Sequence, residues 1–458
     1  MGAGLLGLIL LARAPEGFDQ TEAYSPWTLA QPTENYETRD AYLRGMKLRE
    51  KSNGFALSLA ADQFQQAIDG DAEFAPAYAA LAAVDAAIFQ NEPGANVALI
   101  AKTDRLIAQA KALSPKSPQV RLAEGEIAAF RGDYVGALSM ASTLIEENPH
   151  FLAAYLLKGA ALMELGRIDA ARDTMDIAIS LDPLSPEVLH IVSEAKYMTG
   201  DFDGAREAAK ANLWWNPEST KSLLSMAHIE RERGHYERAF DYLQRARHLN
   251  SLDSVVIYDL IELYSDLGLS QARAEVAQGH VQRSLVYAMI GNRDETDAAL
   301  IQLDLRDVHV NIHYYLRDYE TAAQRFDIFL SSRPDARIKP GDGLQYARMC
   351  LAYNRARQPQ SDRICGLLAA YYTDKMPEDL HLRKDILGGA AYFLQSGDLP
   401  RALLWLDHLA VAGHSFSDLT TDPLFATLET TPDYAPIAAK METTAQIQRR
   451  FIQRKLGD

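Results

Sequence analysis

Asp201 and Asp203 stand two residues apart between Gly200 and Gly204, in the stretch "TGDFDGA" (199–205). Acids in a glycine-flanked loop suit a hard cation such as calcium, because carboxylate oxygens bring both charge and short ligand bonds. A calcium loop needs several more oxygen ligands within about a dozen residues, closed by an acid. Here the loop runs into "AREAAK", which reads as a helix. The two acids are therefore expected to act as favourable charges at a helix N-terminus. "HVNIH" (309–313) sets His309 and His313 on one helix face, but with no Glu between them, so a structural or surface role outweighs a zinc site. No HExxH, P-loop or GxSxG occurs. No catalytic residue, metal site or cofactor is expected, and the chain is read as non-enzymatic.

Cys350 and Cys365 are the only cysteines, which excludes a metal site built from a cysteine cluster. If "RQPQ" (357–360) turns a helical hairpin, both lie equally far from its centre and at one height. They then form a disulfide in an oxidising compartment, or else serve as buried apolar fillers. Trp214 and Trp215 close another helix. Packing between neighbouring helix pairs is expected, with a partner-binding aromatic as the alternative.

A hydrophobic fraction of 48% with 24% charged residues fits a folded chain. The net charge of -16 repels phosphate backbones, so nucleic acid is not an expected partner. The exception is the basic C-terminus "QIQRRFIQRKLGD" (446–458), read as a solvated last helix. At the other end, Gly2 to Ala12 is apolar but short of the roughly 20 residues that span a bilayer. It reads as the tail of a membrane helix beginning upstream, or as a frayed apolar end, the first being preferred.

The elements that position these residues follow a repeat. Pro115, Pro149, Pro183 and Pro217 are 34 apart, as are Gly132, Gly166, Gly200, Gly234 and Gly268. Ala137, Ala171, Ala205 and Ala239 share that period, and so do the small residues Gly125, Gly159, Ser193 and Ala227. Tyr134, Ile168, Phe202 and Tyr236 follow each glycine by two. Each unit thus reads as a helix, a turn at the glycine, a second helix plugged by the aromatic or aliphatic residue, and a stop near the proline. Small residues let the two helices approach, and stacking of neighbouring pairs builds a continuous core.

This pattern resembles the tetratricopeptide repeat (TPR) family. The resemblance implies an all-α fold, an α-solenoid of helix hairpins in a right-handed superhelix. Residues 118–253 fit four units without insertion, and 60–86, 316–334 and 395–413 fit further pieces. The expected segments are 1–36, an apolar end and linker; 37–117, early units with an insertion; 118–268, regular units; 269–413, irregular units; and 414–458, a cap with a basic helix. Residues 39–82 and 419–441 also resemble the ends of the TPR region in bacterial membrane-anchored winged-helix regulators and TPR-containing adenylate cyclases.

By the family's groove offsets, the concave face presents Glu126, Phe130, Met163, His190, Glu194, Tyr197, His228, Arg231, Tyr258 and Glu262. Such a surface implies a protein or peptide partner. The alternative is a small-molecule or peptide sensor regulating a separate effector. Leu122, Leu156 and His190 occupy the offsets where a chaperone-tail clamp needs Lys, Asn and Arg, so no clamp is expected. A membrane-associated chain with a periplasmic repeat domain is expected, the alternative being cytoplasmic. Oligomeric state is left open.

Overall fold

The computed structural model describes residues 33–49, 54–91, 97–251, 253–277, 280–300, 310–331, 337–417 and 419–457. Among them the regular elements are α-helices and short 3-10 turns, with no strand. First helices begin at Pro118, Leu152, Pro186, Thr220 and Ser254, and second helices at Tyr134, Ile168, Phe202, Tyr236 and Ser270. Both series advance by the period of the sequence, so the fold is an all-α repeat.

The turn glycines adopt φ from +64° at Gly268 to +81° at Gly132, a region L side chains avoid. The in-register alanines Ala137, Ala171, Ala205 and Ala239 are wholly buried. At Gly159 a Cβ would stand 2.3 Å from Met175, and at Gly125 2.6 Å from Leu157. Close approach is what these positions require.

After Gly268 the pattern loosens for a specific reason. Arg317 and Arg357 take positive φ, 59° and 53°, at the start of two later turns. The hairpin geometry persists there without its glycine.

The chain separates into two compact units: Met1–Lys196 with Glu207–Lys221, and Tyr197–Arg206 with Ser222–Asp458. The division falls inside the regular stretch 118–268, because compactness follows contacts and not regularity of sequence.

In the first unit, Tyr42, Met46, Phe64 and Phe74 pack with the helix Ala75–Asn91. Tyr42 meets Phe74 edge-on at 5.2 Å between ring centres. That helix is apolar around its circumference, as a helix enclosed by neighbours should be.

In the second unit, Trp405 lies against Tyr372 and Phe393. A Cβ at Gly389 would come within 2.1 Å of Trp405, and one at Gly388 within 2.4 Å of the Gly343 backbone. The helix Ala435–Gly457 packs on Tyr236–Leu249. Met441, Ala445 and Ile452 form its buried stripe, so the expected solvated last helix is instead a packed one. Ser415 Oγ and Ser417 N both donate to the carbonyl of Asp266, at 2.8 and 3.0 Å. The cap is thus fastened to an early hairpin of the same unit. No helix among the described residues is long and apolar enough to cross a membrane. The apolar segment Gly2 to Ala12 and His309 lie outside the described residues.

Candidate functional site

The expected groove residues divide between the units. In the first, Glu126 pairs with Arg49. Burial opposes the Arg49 charge, and the Glu126 carboxylate more than offsets it. Phe130 is half-buried beside Ala82, Ala86 and Ile127. Met163 is only 3% exposed and belongs to the core, a correction to its expected place on the groove surface. Its helix, Leu152–Glu164, buries nine of 13 residues and leaves little open face. His190 lies in the helix Pro186–Met198, with Nε2 4.0 Å from Glu194. Burial, assisted by Lys221, pushes the His190 pKa down to about 3, so the ring is neutral. The buried polar atoms without a hydrogen-bond partner include Gln119 Nε2, Glu126 Oε2 and His190 Nδ1.

In the second unit, Tyr197 donates to Glu232 at 3.1 Å, and His228 Nε2 lies 2.7 Å from Asp259. Burial alone would lower the His228 pKa, but Asp259 outweighs it and the net shift is upward. Arg231 donates to Asp266 and Glu262, both at 2.8 Å. Glu262 also accepts from Lys384 at 2.8 Å. Despite burial, Lys384 and Arg231 hold its carboxyl well below the usual range. The Arg383 backbone N–H donates to Glu232 at 2.8 Å and its guanidinium to Asp266 at 2.6 Å. Tyr258 is pushed up to about 12 by burial.

Glu232, Glu262 and Asp266 are therefore engaged by the chain's own Arg383 and Lys384. Sequence reading missed both cations, because their contacts cross more than 100 residues. It also missed Arg348 and Asp422, paired at 2.7 Å. Asp422 stands in the closing "DPLF", but only its burial marks it out.

Arg231, Glu262, Asp266, Arg348, Arg383 and Asp422 line a cavity of about 390 Å³ within the second unit. First helices of successive hairpins supply its wall through Arg231, Glu262, Leu285, Arg348 and Leu387, and the cap supplies Asp422.

Asp201 and Asp203 behave as helix-terminal acids. Asp201 accepts from the Gly204 N–H at 2.9 Å, and Asp203 pairs with Arg206 and Arg233. No group of three or more His, Cys, Asp or Glu is placed to hold a metal among the described residues. The Sγ atoms of Cys350 and Cys365 are bonded at 2.08 Å, across the turn at Arg357. Trp214 and Trp215 do not pack as expected. They are 79% and 62% exposed, while Ala208, Ala209 and Asn212 carry the buried face of that helix.

The family model of the tetratricopeptide repeat matches residues 131–195. Among curated proteins, the human protein O-mannosyl-transferase TMTC1 is 28% identical over 148 residues, 31% of this chain. The mouse protein of the same name is 26% identical over 141 residues, 29% of this chain. The chain spans only 16% and 15% of those relatives' lengths. Solved structures with partial likeness include a thermophilic TPR protein of Thermus thermophilus (16% identity, TM-score 0.34, 36% of this chain and 91% of that one). Another is PilW, a type IV pilus biogenesis factor (16%, 0.34, 48% and 97%). A third is a tetratricopeptide repeat protein of Parabacteroides merdae (13%, 0.29, 68% and 97%). Residues 131–195 match the tetratricopeptide repeat, and helix hairpins of the same 34-residue period continue on both sides of the matched segment.

Proposed function

We propose that this chain is a non-enzymatic interaction module that takes an extended segment of a protein partner on the polar face of its first unit. The observation that carries this is the set of unpartnered buried atoms Gln119 Nε2, Glu126 Oε2 and His190 Nδ1. Each such atom costs about 1–3 kcal/mol while unsatisfied. A peptide backbone offers alternating N–H and C=O groups, which suit a donor, an acceptor and an imidazole nitrogen. In the second unit Glu232, Glu262 and Asp266 are engaged by Arg383 and Lys384.

The proposal includes an oxidising compartment, supported by the Cys350–Cys365 bond. Attachment to a membrane through the apolar N-terminal stretch is part of the same reading. So is a place as the input half of a signalling assembly, supported by the likeness of 39–82 and 419–441 to regulator and cyclase repeats. The transferase activity in the TMTC1 name is not extended to this chain, since the shared stretch is a small part of that protein.

The test is capture from native extract with the full chain as bait, followed by titration of the captured protein. The triple variant Gln119→Ala/Glu126→Ala/His190→Ala should lose it. Undiminished capture by a folded triple variant removes the first-unit face from consideration.

A further inference from the structure

In the cavity of the second unit three of the lining acids, Glu262, Asp266 and Asp422, are engaged, and donors are left over. Asp422 accepts at Oδ1 from the Tyr314 hydroxyl (2.6 Å) and Leu424 N–H (3.0 Å), and at Oδ2 from Nε and Nη2 of Arg348 (2.9 and 2.7 Å). Glu262 accepts from Lys384 and Arg231, and Asp266 from Arg231 and Arg383. Arg348 is thereby fixed through two nitrogens, its guanidinium 5.3 Å from the Tyr315 ring centre. Its third nitrogen, Nη1, and the Tyr315 hydroxyl meet no acceptor among the described residues, and both side chains line the cavity. Gln345 spends one amide N–H on Asn311 (3.1 Å) and has a second.

Leu285, Met289, Val310 and Phe329 form an apolar part of the wall, while Ser265, Asp342 and Thr421 add polar groups elsewhere on it. A volume of about 390 Å³ falls within the roughly 300–1,000 Å³ of small-molecule sites. Phe416, held between Ser415 and Ser417 that are fastened to Asp266, lines the cavity where an open repeat array would continue as a groove. That favours a compact ligand over an extended chain.

We propose that the second unit binds a small carboxylic acid with an apolar body. The carboxylate is received by Arg348 Nη1 and the Tyr315 hydroxyl, and the body lies against Leu285, Met289 and Phe329. Arg348 is prepared for this role because Asp422 and the tyrosine rings hold its plane before the ligand arrives. The site is separate from the partner face of the first unit, so either reading can fail alone.

Isothermal titration of the full, oxidised chain with octanoate and 4-phenylbutyrate, each alongside its primary amide, tests this. At least one acid should bind, with its amide at least about tenfold weaker, since a charge-assisted hydrogen bond is lost. Arg348→Gln should bring that acid to the level of its amide, and Tyr315→Phe should weaken it roughly three- to tenfold. Met289→Trp, which fills the cavity, should abolish binding of acid and amide alike. Should Arg348→Gln fail to fold by circular dichroism, Tyr315→Phe decides. The proposal is overturned if neither acid binds, if acid and amide bind alike, or if folded Arg348→Gln and Tyr315→Phe leave binding unchanged.

Discussion

Arg383 Nη1 lies 2.6 Å from Asp266 Oδ2 across 117 residues of sequence, and both residues are buried. The same Asp266 oxygen accepts from Arg231, so one carboxylate serves two guanidiniums. Removing it leaves two buried cations short of a counter-charge. Asp266→Ala should destabilise the chain by about 3–5 kcal/mol in urea unfolding. Adding Arg383→Met should recover part of that loss, because a buried charge goes with its partner. Additive losses in the double variant would show that the two residues do not act as a pair.

Arg317 and Arg357 hold left-handed backbone with exposed side chains. Glycine at either place should relieve strain without removing a packed group. Arg357→Gly is expected to raise stability by about 0.5–1 kcal/mol, read as a higher urea midpoint at constant slope. Gly388→Ala should do the reverse, by about 1–3 kcal/mol, because its Cβ would meet the Gly343 backbone.

His414 is 6% exposed, and its Nδ1 is buried without a partner. Burial, with Arg383, His408 and Arg231 nearby, pushes its pKa down from 6.5 to about 3. The folded state therefore holds this ring neutral while the unfolded chain protonates it. The resulting stability is complete above pH 6.5 and is lost as pH falls toward 3, at up to about 1.4 kcal/mol per pH unit for one proton. His414→Leu should lower the slope between those limits by one proton's share, His190 supplying another, and an unchanged slope would place the proton uptake elsewhere.

The Cys350–Cys365 bond closes a loop of sequence separation 15. Reduction, or the double change to serine, should cost about 3 kcal/mol. Thiol titration of unfolded, unreduced protein should find no free thiol. Two thiols per chain would contradict both the bond and the oxidising compartment proposed from it.

The hairpins between 118 and 268 were legible because their determinants are local. A turn glycine, a plug two residues on and a small residue at the crossing all lie within one repeat, as at Gly166, Ile168 and Gly159. The later hairpins were harder to read where Arg317 and Arg357 hold the turn. The second unit's cavity was hidden for a different reason. Nothing in the neighbourhood of Arg348 or Arg383 announces Asp422 or Asp266, because those pairings arise only when distant helices meet. Met163, Trp214 and Trp215 were misplaced by family offsets and helix ends, which set direction along a helix but not how closely the neighbours cover it.

A stacked array is ordinarily divisible, since each repeat leans only on its neighbours and one can be added or deleted with a proportionate change in stability. The second unit has given up that freedom. With Ser415 and Ser417 bound to Asp266 and the last helix lying on Tyr236–Leu249, inserting or removing one hairpin between them would pull the fastening out of register. This half of the chain is constrained to a fixed number of repeats, and duplication of a hairpin, harmless in an open array, would here break the fold.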